Sequence, residues 1–207
     1  MICMCHPQTC LGVGFARIDM LSKTDHHKKC RRYDIAGHAH ELTFSCFRRQ
    51  PFLSDDRFCT FLGEAVGRAM TIHRCELWAY VFMPEHVHLL VHPKEPEYSI
   101  SRILHSIKQS SARKVLIYAR RLSPGFLSAM ETGQRHTPYR FWQDGGGFDR
   151  NVITSSALVS IVKYIHANPV RRGLVIRPED WPWSSARDWA GLGPNLIAVD
   201  MDSFPSG

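Results

Sequence analysis

Residues 75–93, CELWAYVFMPEHVHLLVHP, hold two apolar runs separated only by a Met-Pro-Glu turn. The first run is apolar on both of its alternating faces and rich in aromatic and β-branched residues, which suits a central strand. The second follows so closely that the pair reads as a β-hairpin.

The flanking segments supply the partners of this hairpin. HELTFSCF at 40–47 alternates Leu42, Phe44 and Cys46 against Thr43, Ser45 and Phe47, a strand pattern. After an RRQPFLSDD turn, Ser54 or Asp55 can cap a helix in which Phe58, Phe61, Leu62, Ala65, Val66 and Ala69 recur at helical spacing until about His73. A second helix over 99–122 carries Ile100, Ile103, Leu104, Ile107, Val115 and Leu116 on one stripe, with most of its Lys and Arg elsewhere, and SPGF ends it. A glycine-rich stretch, RFWQDGGGFDRNV, leads to a third helix over 154–168 that Pro169 and Gly173 stop. With a short strand near 141–143, the order predicts an α+β fold: a ferredoxin-like, split βαβ antiparallel sheet with helices packed mainly on one face.

A chain of 207 residues, 44% apolar, is one domain with appendages: a leader over 1–30, a folded domain over 31–187 and a tail over 188–207. No run of about eighteen apolar residues and no signal-peptide pattern occurs, which predicts a cytoplasmic protein with no membrane partner. Seven cysteines imply no disulfide framework; Cys46, Cys59 and Cys75 fall inside elements, where reduced cysteine behaves as a small hydrophobe. Cys3, Cys5, His6 and Cys10 crowd the leader, but their spacing matches no standard zinc pair. A net charge of +7 and a pI near 9.2 favour a polyanionic partner, nucleic acid before membrane.

Period-2 geometry puts His86 and His88 on one face of their strand while Val87, Leu89 and Val91 face the core, and two imidazoles so placed can share a metal. On the third helix, Leu158, Ile161, Val162 and Ile165 form the apolar stripe. Tyr164 lies off it by on the order of 120°, and Asn168, four residues on, shares its face. A phenol and an amide oxygen projecting toward a histidine pair would be a nucleophile and a third metal ligand. Tyr118, the rival nucleophile, falls in phase with Ile100, Ile103, Leu104 and Ile107 and reads as core-facing. His92 shares the parity of His88 but lies roughly 13 Å further along, too far to complete one site. His166 faces away from Tyr164 and His105 has no evident partner; Glu85, beside the histidine pair, reads first as a turn residue and second as a group that orients a ligand or assists proton transfer. Phe141, Trp142, Trp181 and Trp183 read as core.

PEHVHLLV, RFWQDGGGFDRNV and YIHANPVRRGLV followed by PEDWPWSS resemble, in that order, the REP-associated tyrosine transposases, relatives of the small bacterial insertion-sequence transposases of the HUH endonuclease class. The resemblance runs from about Arg31 to Arg187. It implies that His86 and His88 are metal ligands with Asn168 as third ligand, and that Tyr164 is the covalent nucleophile. The implied activity is metal-dependent cleavage and transfer of single-stranded DNA at a repetitive extragenic palindrome hairpin, through a 5′-phosphotyrosine. The metal would be Mg²⁺ or Mn²⁺; residue types also admit zinc. Arg48, Arg49, Lys108, Arg113, Lys114, Arg140, Arg150, Arg171 and Arg172 are the candidate contacts to single-stranded or hairpin DNA, and either a monomer or a homodimer is compatible. Gly145, Gly146 and Gly147 depart from the usual form and predict a more flexible loop. Two other classes stay open: a non-catalytic nucleic-acid-binding module using Trp78, Tyr80 and Phe82 as its platform, and a zinc hydrolase using the His-x-His pair with water.

Overall fold

The computed structural model describes residues 33–122, 124–193 and 195–205. The cysteine-rich segment over 1–30, with its candidate metal knuckle, lies outside the described residues.

Four strands, β1 (Ala39–Ser45), β2 (Cys75–Met83), β3 (His86–Pro93) and β4 (Phe148–Val152), form one antiparallel sheet in the order β2-β3-β1-β4. β1 and β2 are connected through α1 (Asp56–Ile72), and β3 lies between them, which is the split βαβ arrangement. Asp55 caps α1 by accepting from the Arg57 N–H at 2.8 Å. β4 lies inside the glycine-rich stretch, not at 141–143, where only an isolated bridge pairs Trp142 with Cys46. It is an edge strand with one fully buried apolar side chain, Val152, so its alternation is weak in sequence. Buried His40 of β1 helps to hold it, with one ring nitrogen 2.8 Å from Asp149 and the other 2.8 Å from the Tyr98 hydroxyl.

Each face of the sheet has its own core. α1 and α2 (Ile100–Leu122) cover one face, burying Leu42, Phe44, Val87 and Leu89 with Phe58, Leu62, Ile103 and Ile107. The short α3 (Pro124–Ala129) follows α2 directly. α4 (Ser155–Arg171) covers the other face through Leu158, Ile161, Val162 and Ile165 against Ala79, Val81, Met83 and Leu90. Two of the three long helices thus share a face, and the third takes the side on which the histidines stand. Trp78, Tyr80 and Phe82 are buried between these layers, so the strand offers no open stacking platform. Tyr118 packs edge-on against Phe58 and Phe61 in the first core, as its helical phase predicts.

α4 runs three residues past its expected end, through Pro169. A proline cannot donate to the carbonyl four residues back. Here the Asn168 side-chain amide lies 3.4 Å from that carbonyl, Ile165 O, and 2.8 Å from Tyr164 O, and donates to both. Gly173, with φ +67°, ends the helix.

The second edge of the sheet is covered from the C-terminal side. Phe82 N–H donates to Trp183 O, Ser185 N–H to Tyr80 O, and Asp200 N–H to Leu77 O, which screens the open hydrogen-bonding groups of β2. Within the 188–207 segment Ile197 is buried, and Phe204 packs edge-on against Trp78 and Trp189. No described helix is long and apolar enough to cross a membrane.

Candidate active site

Cross-strand register assembles the site. Phe148, Thr43, His88 and Val81 form one row across β4, β1, β3 and β2, on the face that α4 overlies. His86 lies two residues before His88 on the same face. Both imidazoles are buried, with ring centroids 4.9 Å apart and Nε2 atoms 3.1 Å apart.

The outer nitrogens are held from behind. His86 Nδ1 donates to Glu85 Oε1 at 3.1 Å, and His88 Nδ1 lies 2.8 Å from Thr43 Oγ1. In the tautomer with Nδ1 protonated on both rings, two Nε2 lone pairs converge on one point, an arrangement that a cation between them would stabilise. Metal–nitrogen bonds of roughly 2.0–2.1 Å would span the observed separation at about a right angle, so the donors fit a divalent ion. A partner behind each ligating imidazole is the usual means of fixing its tautomer and orientation. Burial lowers the His86 pKa, offset in part by Glu85, while burial and the neighbouring His86 push His88 down to about 4. Both rings are therefore neutral, ligand-competent bases at physiological pH.

Glu85 is more than a turn residue. Its carboxylate also accepts from Arg172 Nη1 at 2.8 Å, joining the end of α4 to the histidine turn. Burial alone would raise its pKa, but the hydrogen bond and charge of Arg172 outweigh it and keep the group ionised.

The helix presents its residues as the spacing predicts. Tyr164 is 41% exposed and its ring meets His88 edge-on, centroids 5.6 Å apart, within the same chain. The Arg171 guanidinium lies 5.3 Å from the tyrosine centroid. Asn168 is buried one turn further along, and donation by its amide nitrogen to helix carbonyls leaves the amide oxygen as its acceptor. No cluster of three or more His, Cys, Asp or Glu suited to a metal occurs among the described residues. Further ligands would come from neutral oxygens such as that of Asn168, or from substrate.

The nine candidate DNA contacts divide into two groups. Arg171 and Arg172 surround the tyrosine and the histidine turn, and the Arg49 charge is felt at His86. Arg48 and Arg49 are exposed just beyond β1 with φ of 52° and 53°, a left-handed pair unusual for arginine. Arg150 pairs with Glu41 at 2.6 Å on the site face. The others lie elsewhere. Arg113 and Lys114 line the groove between α1 and α2 beyond the sheet, where Lys114 is paired with Glu64. Arg140 pairs with Asp144 at 2.8 Å, and Lys108 donates to Gln143 O and Gly145 O at 3.0 and 2.7 Å. Lys108 thus fastens the glycine loop expected to be flexible. Gly147, at φ +72°, is there because β4 comes so close to β1 that a Cβ would stand 2.1 Å from Thr43 O.

Thr43 and Glu41 are site-face residues that the sequence does not single out. Their only signal is strand parity, and it acquires meaning once β1 is known to lie beside β3.

The profile described as "Transposase IS200 like" matches residues 35–168, from just before β1 to Asn168. A REP-associated tyrosine transposase of Escherichia coli K12 is 27% identical over 179 residues, covering 86% of this chain and 94% of the relative. A solved REP-associated tyrosine transposase bound to a REP hairpin superposes with a TM-score of 0.60 at 26% identity, covering 86% of this chain and 94% of that one. The profile takes in the whole sheet, the histidine strand and the tyrosine helix, and the chain therefore belongs to the IS200-like transposase family.

Proposed function

We propose that the protein is a metal-dependent single-stranded DNA endonuclease and strand transferase acting at hairpin DNA through a 5′-phosphotyrosine. The observation that carries this reading is the placement of an exposed phenol against one of two imidazoles whose Nε2 atoms converge. The solved relative bound to a REP hairpin supports the substrate class.

His86 and His88, with the Asn168 oxygen, would hold Mg²⁺ or Mn²⁺. Such an ion, when bound, supplies Lewis acidity to the scissile phosphate and lowers the charge the nucleophile must approach. Tyr164 attacks phosphorus through its phenolic oxygen. The bond to the 3′-oxygen breaks, the phenol loses its proton, and the departing oxygen is protonated to a free 3′-hydroxyl. The tyrosyl phosphodiester keeps the energy of the bond it replaced, so the same or another 3′-hydroxyl can reverse the step and join strands. Arg171, over the phenol ring, and Arg49 and Arg172 place positive charge where the phosphodiester backbone must pass. The histidines and the tyrosine of one chain meet, which supports cleavage within a single chain.

Incubation with labelled single-stranded hairpin DNA and Mn²⁺, resolved on a denaturing gel, tests the reading. A covalent adduct that Tyr164→Phe abolishes is expected. Cut DNA without an adduct, or an adduct that survives Tyr164→Phe, would overturn it.

A further inference from the structure

We propose that the cleft between the β1–β4 edge and the Tyr164 side of α4 is a subsite for one unpaired nucleotide flanking the cleaved bond, with Phe148 as its stacking surface and Glu41 selecting a base that presents an exocyclic amine. The proposal rests on the reading of Tyr164 as the nucleophile.

The cleft exists because α4 does not cover the whole sheet. Its apolar stripe lies over Val81, Ala79 and Leu90 of the β2–β3 half and reaches only Ala39 and Val152 at one end of β1 and β4, leaving Glu41, Thr43, Phe148 and Arg150 open beneath Ser160 and Tyr164. The space has a volume of about 510 Å³ and shares His88, Thr43 and Tyr164 with the reaction centre. That volume falls in the usual range for small-ligand sites, roughly 300–1,000 Å³. Whatever occupies it adjoins the phosphate that Tyr164 attacks.

Two of its walls need explaining. Phe148 begins an edge strand, pairs with Thr43 in register and is 51% exposed, an apolar ring left open on the site face. A ring so placed beside a single-strand path is a stacking surface. Glu41 lies one row further along, between Arg150 and Leu90, and is only 5% exposed. A buried carboxylate is a poor neighbour for a polyanion, and Arg150, bonded to it at 2.6 Å, offsets that charge. That one bond leaves the carboxylate with acceptor capacity to spare. Groups that donate can fill it: the amines of cytosine, adenine or guanine. Thymine has no such amine: its single donor, N3–H, lies between two carbonyl oxygens that the carboxylate repels, so it is disfavoured.

The test uses a hairpin oligonucleotide pool with randomised single-stranded flanks and Mn²⁺, sequencing both the adducted strand and the released strand. Wild-type adducts should be depleted of thymine at one flanking position by roughly five- to 100-fold, the discrimination expected of one good base contact. Glu41→Gln, which gains a donor, should remove most of that depletion at that position alone. Phe148→Ala should lower adduct yield whatever the base. If Glu41→Gln does not fold, Arg150→Gln decides: an unneutralised carboxylate should deepen the thymine depletion, and an unchanged profile overturns the proposal. Adducts with no base bias, or with a bias that Glu41→Gln retains, overturn the subsite while leaving the nuclease reading intact. Absence of any wild-type adduct overturns both.

Discussion

Replacing Gly147 by alanine tests how closely the two strands bearing the site must approach. At φ +72° an L-residue is strained by roughly 1–2 kcal/mol. The new Cβ would also stand 2.1 Å from Thr43 O and 3.1 Å from Phe44 Cβ, and the nearer atom is backbone that cannot rotate away. Forcing β4 outward should add about 1–3 kcal/mol, the usual cost of overpacking a close-packed site. Gly145→Ala is the matched control, because Gly145 has φ +86° but nothing within 4 Å of where its Cβ would stand, so it carries the backbone strain alone. Urea unfolding followed by tryptophan fluorescence should therefore show Gly147→Ala less stable than Gly145→Ala by about 1–3 kcal/mol, beyond the strain common to both. Thr43 also positions His88, so Gly147→Ala should weaken Mn²⁺ binding in a calorimetric titration while Gly145→Ala leaves it unchanged. Equal destabilisation by the two substitutions would refute the close approach and reduce both glycines to turn formers.

Three further outcomes follow from the site. Glu85→Gln keeps the size of the side chain but weakens its hold on His86 and Arg172, and should reduce Mn²⁺ affinity roughly 10–100-fold with little change in fold, as losses behind a metal ligand do; unchanged affinity would return Glu85 to a turn residue. Asn168→Ala should cost about 1–3 kcal/mol by stripping the donor that Pro169 makes necessary at Ile165 O. Adding Pro169→Ala restores a backbone N–H and should recover stability but not Mn²⁺ affinity; recovery of both would make Asn168 a helix brace and no ligand. His166, buried against Ser185 Oγ at 2.8 Å, has its pKa pushed by burial from 6.5 down to about 4. The neutral form is native, so its stabilisation is complete above pH 6.5 and is lost as the pH falls toward 4. At about 1.36 kcal/mol per pH unit the full loss is about 3 kcal/mol. His166→Gln should unfold in urea with a correspondingly shallower dependence between pH 7 and 4, and an unaltered slope would contradict the assignment.

Periodicity makes much of this architecture legible. The hairpin declares itself because β2 is apolar on both faces, and the helix phases of Leu158, Ile161, Val162 and Ile165 are enough to separate Tyr164 from the core. β4 escapes the same reading because Phe148 and Arg150 face a cleft instead of a core, which removes the alternation by which a strand is recognised. The expected end of α4 falls short because Pro169 sits in the last turn, where the Ile165 carbonyl to which it cannot donate takes the Asn168 amide instead. Charge is the least informative feature. Arg150, Arg140, Lys108 and Lys114 look alike in sequence, yet each has a different fixed partner, and partners are set by the fold.

The location of the site follows from that same hairpin. A strand apolar on both faces leaves half of its side chains unburied if all helices gather on one side, so a helix has to cover the second face. That face carries His86 and His88, and α4 lays its apolar stripe mainly on Ala79, Val81, Met83 and Leu90, with Ala39 and Val152 at its margin. Burying the stripe turns Tyr164, off the stripe, toward the uncovered half of the sheet, where its ring meets His88. The packing demand that puts α4 there thus also sets the tyrosine beside the histidines and leaves Glu41, Thr43, Phe148 and Arg150 lining an open cleft. A substitution on the buried stripe, such as Ile161→Ala, perturbs stability and the tyrosine's approach through one and the same contact.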